Sequence, residues 1–425
     1  MKIAIIGTGI AGNLAAYRLS RDHDVTVFEA ANRIGGHTNT VNVTHAGRDY
    51  AVDTGFIVYN DRTYPNFVAL LDELGVDSQR SDMSFSVQNA FTGLEYNGTS
   101  LNALFAQRSN LFRPGFHRMI RDILRFNREA KIVLEPEMCD LTLGEFLRER
   151  QYSQEFIDDY IIPMGAAIWS AAPRCMYEMS ASFFVRFFDN HGFLTVNDRP
   201  TWRVIRGGSS NYVDKLVQGH RDRVHLNARV DSVRRLPSHV EVSVRGSDAL
   251  RFDQVFIACH SDQALAMLSD PSPLERDVLG AIAYQKNEAV LHTDERLMPR
   301  SRRAWAAWNY HIRDCEPERV AVTYNMNILQ KLGAPEQFCV TLNNSAAIEP
   351  SRVLRSIEYS HPIFNRRAAA AQQRHAEING CRRTYFCGAY WRYGFHEDGV
   401  ISALRAIEHF EDRSIHEQRD LRRAS

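Results

Sequence analysis

Gly7-Thr8-Gly9-Ile10-Ala11-Gly12 is a stretch in which backbone, not side chains, is offered to a ligand. Gly7 permits a tight turn, Gly9 lets the main chain approach a pyrophosphate, and Gly12 lets a helix pack closely on a strand. The N–H groups that open this helix, at Ile10 and Ala11, lie at a positive dipole end suited to phosphate. Glu29, followed by Ala30, stands where an acid would accept hydrogen bonds from the adenosine ribose hydroxyls. Soon after, Arg33-Ile34-Gly35-Gly36-His37-Thr38 offers a second close backbone approach, with Arg33 and His37 as donors to phosphate. Near the other end, His396 and Glu397 stand just before a helical pattern and are the best base candidates. Tyr390, Trp391, Tyr393 and Phe395 beside them could form an aromatic slot or simply pack.

These residues need particular elements to hold them. Ile3 to Ile6 reads as a buried parallel strand, Leu14, Ala15 and Leu19 as one helical face, and Val25 to Phe28 as the next strand. Strand, glycine turn, helix, strand and terminal acid together make the GxGxxG motif a dinucleotide site. Residues 63–74 predict a helix with Pro65 near its start and Gly75 as its stop. The region from about 100 to 190 reads as mostly helical, too long for a connection, and is expected to be an inserted substrate or lid domain. Residues 204–217 predict a strand, a Gly-Gly turn and a helix; 224–233 predict two short strands; 252–259 predict a buried strand before a helix near His260. β-like segments recur at 288–292, 320–324 and 339–342, and a closing strand ends at Gly388 before a helix near Gly399.

The bulk properties exclude several classes. Lys plus Arg and Asp plus Glu both number 51, so no global field draws the chain to nucleic acid. No apolar run approaches a membrane span, and a strand beginning at Lys2 argues against a cleaved leader. Seven scattered cysteines without a CxxC pair predict reduced thiols in the cytoplasm, with no disulfide framework and no metal site. In one stretch Phe116, Met119, Ile120, Ile123 and Leu124 fall at helical spacing, with Arg118, Arg121, Arg125 and Arg128 beside them. Such a helix suits either the anionic inner-membrane surface or the packed interior of a lid with solvated arginines.

The Arg-x-Gly-Gly segment after Glu29 resembles the flavoprotein superfamily of amine oxidases, phytoene desaturases and protoporphyrinogen oxidases, which favours FAD over NAD. The segment from Gly388 through Gly399 and Val400 resembles that superfamily's closing FAD motif, in which a helix end faces the flavin pyrimidine. Resemblance implies cofactor contacts from Val230, through its backbone to the adenine, and from Gly388, Glu397, Gly399 and Val400. Ala389 departs from the acid often found after the first glycine. Further stretches, among them Asp53-Thr54-Gly55-Phe56, Ile168-Trp169-Ser170 and Ala304 to Tyr310, resemble the bacterial flavoproteins encoded beside cyclopropane-fatty-acid synthases and the N-terminal half of the fused plant enzymes.

The expected fold is therefore α/β. A Rossmann-type FAD-binding domain, glutathione-reductase-like or amine-oxidase-like, is assembled from 1–65, 200–270 and 375–425. A discontinuous α+β substrate domain takes 66–199 and 271–374. The expected activity is FAD-dependent oxidation or desaturation of an apolar substrate such as an unsaturated or modified fatty-acyl chain. A non-redox lipid isomerase and a flavin-bearing partner of a fatty-acyl methyltransferase share the same motifs. Trp305, Trp308, Asn309, Tyr310 and His311 are expected in the opposite wall or the core. Lys286 falls a residue or two out of register with the flavin-side lysine of amine oxidases, and Cys387 reads as a buried thiol.

Overall fold

The computed structural model describes the backbone of residues 1–45, 47–138, 140–195, 199–313 and 318–424; the side chains of 137 and 413–424 lie outside that description. Cys139 and Cys315 fall outside it too.

Lys2–Ile6 is the central strand of a five-stranded parallel sheet ordered Val224–His225, Asp24–Phe28, Lys2–Ile6, Gln254–Ile257, Thr384–Phe386. Ile3 sits opposite Val25 on one side and Gln254 on the other. Being covered on both faces, the strand is a continuous apolar run and not an alternating one. The first helix, Ile10–Leu19, buries Leu14 and Ala15 on one face of this sheet. The last helix, which begins at His396, joins the same core through Val400, Ala403, Ile407 and Phe410. A three-stranded antiparallel sheet, Val230–Arg235, Val240–Val244 and Leu250–Phe252, covers the opposite face.

The second half is built on a seven-stranded mixed sheet. Its order is Val353–Ile363, Ala283–His292, Cys339–Leu342, Val322–Asn325, Trp308–Ile312, Phe85–Asn89, Leu94–Asn97. Helices between residues 114 and 190 pack over it, with Phe116, Phe126, Phe146, Phe184 and Phe188 meeting Val87, Tyr310 and Val322 in one core.

The domain boundaries differ from those expected. Tyr59–Asn60 and Ser78–Arg80 both pair with Trp202–Ile205, and Phe67, Leu70 and Leu71 of the Pro65–Glu73 helix belong to the same core as Ile3 and Ile5. Residues 66–80 therefore belong with the cofactor half. So do Val278, Leu279 and Ile282, and also Ala368 and Ala371, which pack behind the parallel sheet. On the Pro114–Glu129 helix, Phe116 and Met119 of the expected apolar face are buried, with Phe126 a turn further on; Ile120 and Ile123 are partly buried against the lid core, and Leu124 is exposed. No helix among the described residues is long and apolar enough to cross a membrane.

Candidate active site

The loop at 7–12 is shaped by contacts within the backbone. A Cβ on Gly12 would lie 2.0 Å from the Gly7 carbonyl oxygen, so helix and turn meet there with no room for a side chain. A Cβ on Gly9 would meet nothing within 4 Å, which leaves that backbone open to the cavity. Gly36, at φ +59°, brings the second glycine loop against the first, where its Cβ would fall 2.9 Å from the Gly9 Cα. Glu29 lines the same space. Its carboxylate is fixed by Thr8 N–H at 3.0 Å, the Thr8 hydroxyl, and Ala31 N–H at 2.8 Å.

The cavity measures about 670 Å³ and runs between the two halves. The cofactor half lines it with Glu29, Ala30, Val230, the Gly7–Ala11 turn, including Gly9 and Ile10, and with Gly35, Gly36, His37 and Gly388. Tyr390, Tyr393, Phe395 and His396 continue the wall toward a lobe formed by Phe56, Ile168, Trp169, Trp308, Tyr324, Leu342 and Phe364. An open glycine backbone, a helix N-terminus, an anchored acid and a long apolar channel fit a dinucleotide that ends in a flat ring. Ile10, Ala11, Gly35, Gly36, Val230 and Gly388 are placed to hold it.

Other expected residues serve the frame instead. Arg33 spends its guanidinium on the carbonyls of Gly36 (2.6 Å) and Thr38 (2.9 Å), which closes the glycine loop and does not reach the cavity lining. The Thr38 hydroxyl meets Tyr212 Oη at 2.6 Å and His396 Nε2 at 3.0 Å. Glu397 is turned away from the cavity. Its carboxylate accepts from Asn66 N–H (3.1 Å), Asn66 Nδ2 (2.7 Å) and Phe67 N–H (2.9 Å), so it caps the Pro65–Glu73 helix and is neither base nor cofactor ligand. Trp391 packs on His375 at 4.3 Å, in the core behind the sheet. Gly399 is a packing position, where a Cβ would lie 2.6 Å from Ile10 Cγ2, and Val400 is buried in the helix core. Of the residues expected opposite, Trp308 lines the cavity. Asn309 ties Ala306 and Thr323 together, Tyr310 is core, His311 bonds Thr323, and Trp305 Nε1 donates to the Pro299 carbonyl. Lys286 is exposed and pairs with Glu358 at 2.9 Å. Cys387 is fully buried, which pushes its thiol up to about 12, so it is no nucleophile.

His396 does line the cavity, but as a neutral ring. It stacks on Phe56 with centroids 3.4 Å apart, and its Nε2 also meets Tyr212 Oη at 3.0 Å. Burial, and then the neighbouring His37, hold its protonation well below the usual imidazole range. A ring whose charged form is so disfavoured makes a poor proton store.

Among the polar residues of the cavity that the sequence reading missed are His260, Tyr284 and His361. His260 stacks on Tyr284 at 4.5 Å, and His37 lies 5.4 Å from His361 and 5.9 Å from His260. Burial lowers His37 and His260 to about 4 and His361 to about 3, so this cluster is neutral at physiological pH. An amide chain sets the His361 tautomer. Asn343 Nδ2 donates to Asn287 Oδ1 (2.7 Å), and Asn287 Nδ2 donates to the Ser170 carbonyl (2.9 Å) and to His361 Nδ1 (2.8 Å). The ring proton is thereby assigned to Nε2. His361 lies on a strand containing Pro362 and no simple alternation, which hid it.

A glycine-turn parallel sheet closed by a C-terminal helix, with a long cleft shared by a second sheet domain, defines a flavin-dependent class of enzyme. The family model for flavin containing amine oxidoreductases matches residues 10–300, and the chain belongs to that family of FAD-binding proteins. Protoporphyrinogen oxidase 2 of Arabidopsis thaliana is 26% identical over 189 residues, 43% of this chain and 35% of the plant protein, so the match spans about a third of that relative. The structure is similar to cyclohexylamine oxidase from Brevibacterium oxydans, with a TM-score of 0.71, 16% identity, and coverage of 97% of this chain and 99% of that one. It is also similar to a fatty acid isomerase from P. acnes that produces CLA, with a TM-score of 0.67, 15% identity, and coverage of 96% and 98%. These structural likenesses establish the fold.

Proposed function

We propose that this flavoenzyme oxidises or desaturates an uncharged, hydrocarbon-rich substrate, such as an unsaturated or modified fatty-acyl chain. The observation that carries this is the lobe beyond the glycine loops. Ile168, Trp169, Trp308, Leu342 and Phe364 wall it, and among the described residues the only acids lining the cavity, Glu29 and Asp231, come from the nucleotide-binding half. An ammonium substrate entering such a lobe would lose its hydration without gaining a counter-charge. Lys286 faces solvent, so a lysine from this strand does not serve the flavin side.

Bound FAD supplies the hydride acceptor. The protein's contribution is to exclude water with its aromatic wall, to keep His37, His260 and His361 uncharged beside an apolar chain, and to offer His361 Nε2–H as a neutral donor. The likeness of several sequence stretches to the flavoproteins encoded beside cyclopropane-fatty-acid synthases supports the same substrate class, and a fatty-acyl methyltransferase is the partner that likeness suggests.

The test is the visible spectrum of the purified holoprotein under anaerobic conditions, before and after phospholipids bearing unsaturated or cyclopropane chains are added. Bleaching, with a mass change of two hydrogens in the lipid, is expected. A lipid whose double bond has moved, while the spectrum stays oxidised, would assign the enzyme to non-redox isomerisation. Bleaching by primary amines and not by lipids would overturn the reading.

A further inference from the structure

We infer that the surface formed by residues 91–128 and 300–303 is a docking face for an anionic lipid bilayer. The helical face suggested by sequence periodicity is mostly covered, and the apolar contact comes chiefly from the turns around it. Phe112 is 86% exposed, Leu101 76%, Phe91 58% and Leu111 46%. Large apolar side chains at such exposure are costly to leave in water, and four within 22 residues call for a cover.

Hydrogen bonds bind these turns into one surface. Gln107 Nε2 donates to the Gly93 carbonyl at 2.9 Å, and Asn110 Nδ2 donates to the Glu95 carbonyl. Glu95 in turn accepts from Arg300 N–H and Ser301 N–H, both at 3.0 Å, and Asn97 Nδ2 donates to the Trp305 carbonyl. The net charge on this surface is positive. Between Phe91 and Arg128 the chain carries six arginines against Glu95 and Asp122, and both acids are buried. Glu95 is spent on the 300–301 backbone and Asp122 on Ser153 N–H. Glu155 is paired with Arg118, and Glu295 lies 3.4 Å from Arg302. Arg108, Arg121, Arg300, Arg302 and Arg303 remain exposed.

The shape selects the partner. Phe112 and Leu111 project from a short 3-10 turn and Phe91 from a hairpin tip, with arginines set among them. Separate apolar tips ringed by cations suit insertion below anionic headgroups, where each arginine also gains from the surface potential. The face lies outside the cavity lining, so its test reads attachment independently of the substrate.

The experiment is co-sedimentation of the FAD-loaded full chain with vesicles of phosphatidylcholine alone and of phosphatidylcholine with one quarter phosphatidylglycerol. Binding to the anionic vesicles only, released by high salt, is expected. Leu101→Ser with Phe112→Ser should weaken it about tenfold, and Arg302→Glu with Arg303→Glu by more than the about fivefold per charge of simple neutralisation. These positions are exposed, so flavin content and melting temperature should match the parent and report intact folding. No binding to anionic vesicles, binding indifferent to lipid charge, or unchanged binding by both variants would overturn the proposal. So would a concentration-dependent dimer abolished by Phe112→Ser, which would give the face to a second copy of the chain.

Discussion

Glu397 and Asp398, adjacent on the first turn of the last helix, show how little a residue's type says about its task. Glu397 is consumed by three donors of a neighbouring helix end. Glu397→Gln should lower stability by about 1–3 kcal/mol, read from thermal unfolding, while the rate of flavin bleaching by substrate stays within twofold. A large loss of rate in a folded, flavin-loaded protein would return Glu397 to the chemistry. Asp398 accepts from Phe395 N–H at 2.9 Å, and burial pushes its carboxyl up to about 7 despite Arg392 nearby. The folded state therefore binds this proton more tightly than the unfolded chain does, and the stability it confers falls as pH rises from about 4 to 7. Asp398→Asn removes that loss. The melting temperature of the variant relative to the parent should climb between about pH 5 and pH 8. The buried histidines titrate in the opposite sense, and because both proteins share them, the difference isolates Asp398.

Elements explain which parts of the site were readable. The glycine turn, the Glu29 strand end and the Gly-Gly loop are local: their chemistry and geometry lie within about forty residues, so spacing alone reveals them. The Pro65–Glu73 helix was equally legible, with Pro65 inside its start and Gly75 at φ +61° just beyond its end. The lobe was not. Its wall draws on Val353–Ile363, an edge strand whose exposed charges and Pro362 mask it, because an edge tolerates proline and polar residues that a central strand does not. His361 became visible only once that strand was paired with Ala283–His292. The same pairing turns Lys286 to solvent against Glu358. Lys286→Met is thus expected to change stability by less than about 0.5 kcal/mol and turnover not at all, checked by thermal unfolding and anaerobic bleaching. A collapse of the bleaching rate would mean that the strand presents the lysine to the flavin.

At the scale of the whole molecule, the cavity belongs to neither half alone. Gly9, Glu29 and Val230 come from the cofactor half and Trp169, Trp308 and His361 from the other, so a ligand filling it ties the two together. Added FAD at a hundred times its dissociation constant should therefore raise the unfolding free energy by about 2.7 kcal/mol. The measurement is the melting temperature of flavin-stripped protein across FAD concentrations; a flat response would contradict the bridging cavity. The parallel sheet carries a consequence for biosynthesis. Gln254–Ile257 pairs on one side with Lys2–Ile6 and on the other with Thr384–Phe386, and residues 258–383 must be made between them. For roughly ten seconds of translation, the growing chain holds a largely apolar strand with one edge bare. During that interval the ribosome-bound protein has its glycine turn but lacks the helix that closes the cleft. Flavin loading is then expected late in maturation, after the strand at 384–386 and the helix that follows it have been made.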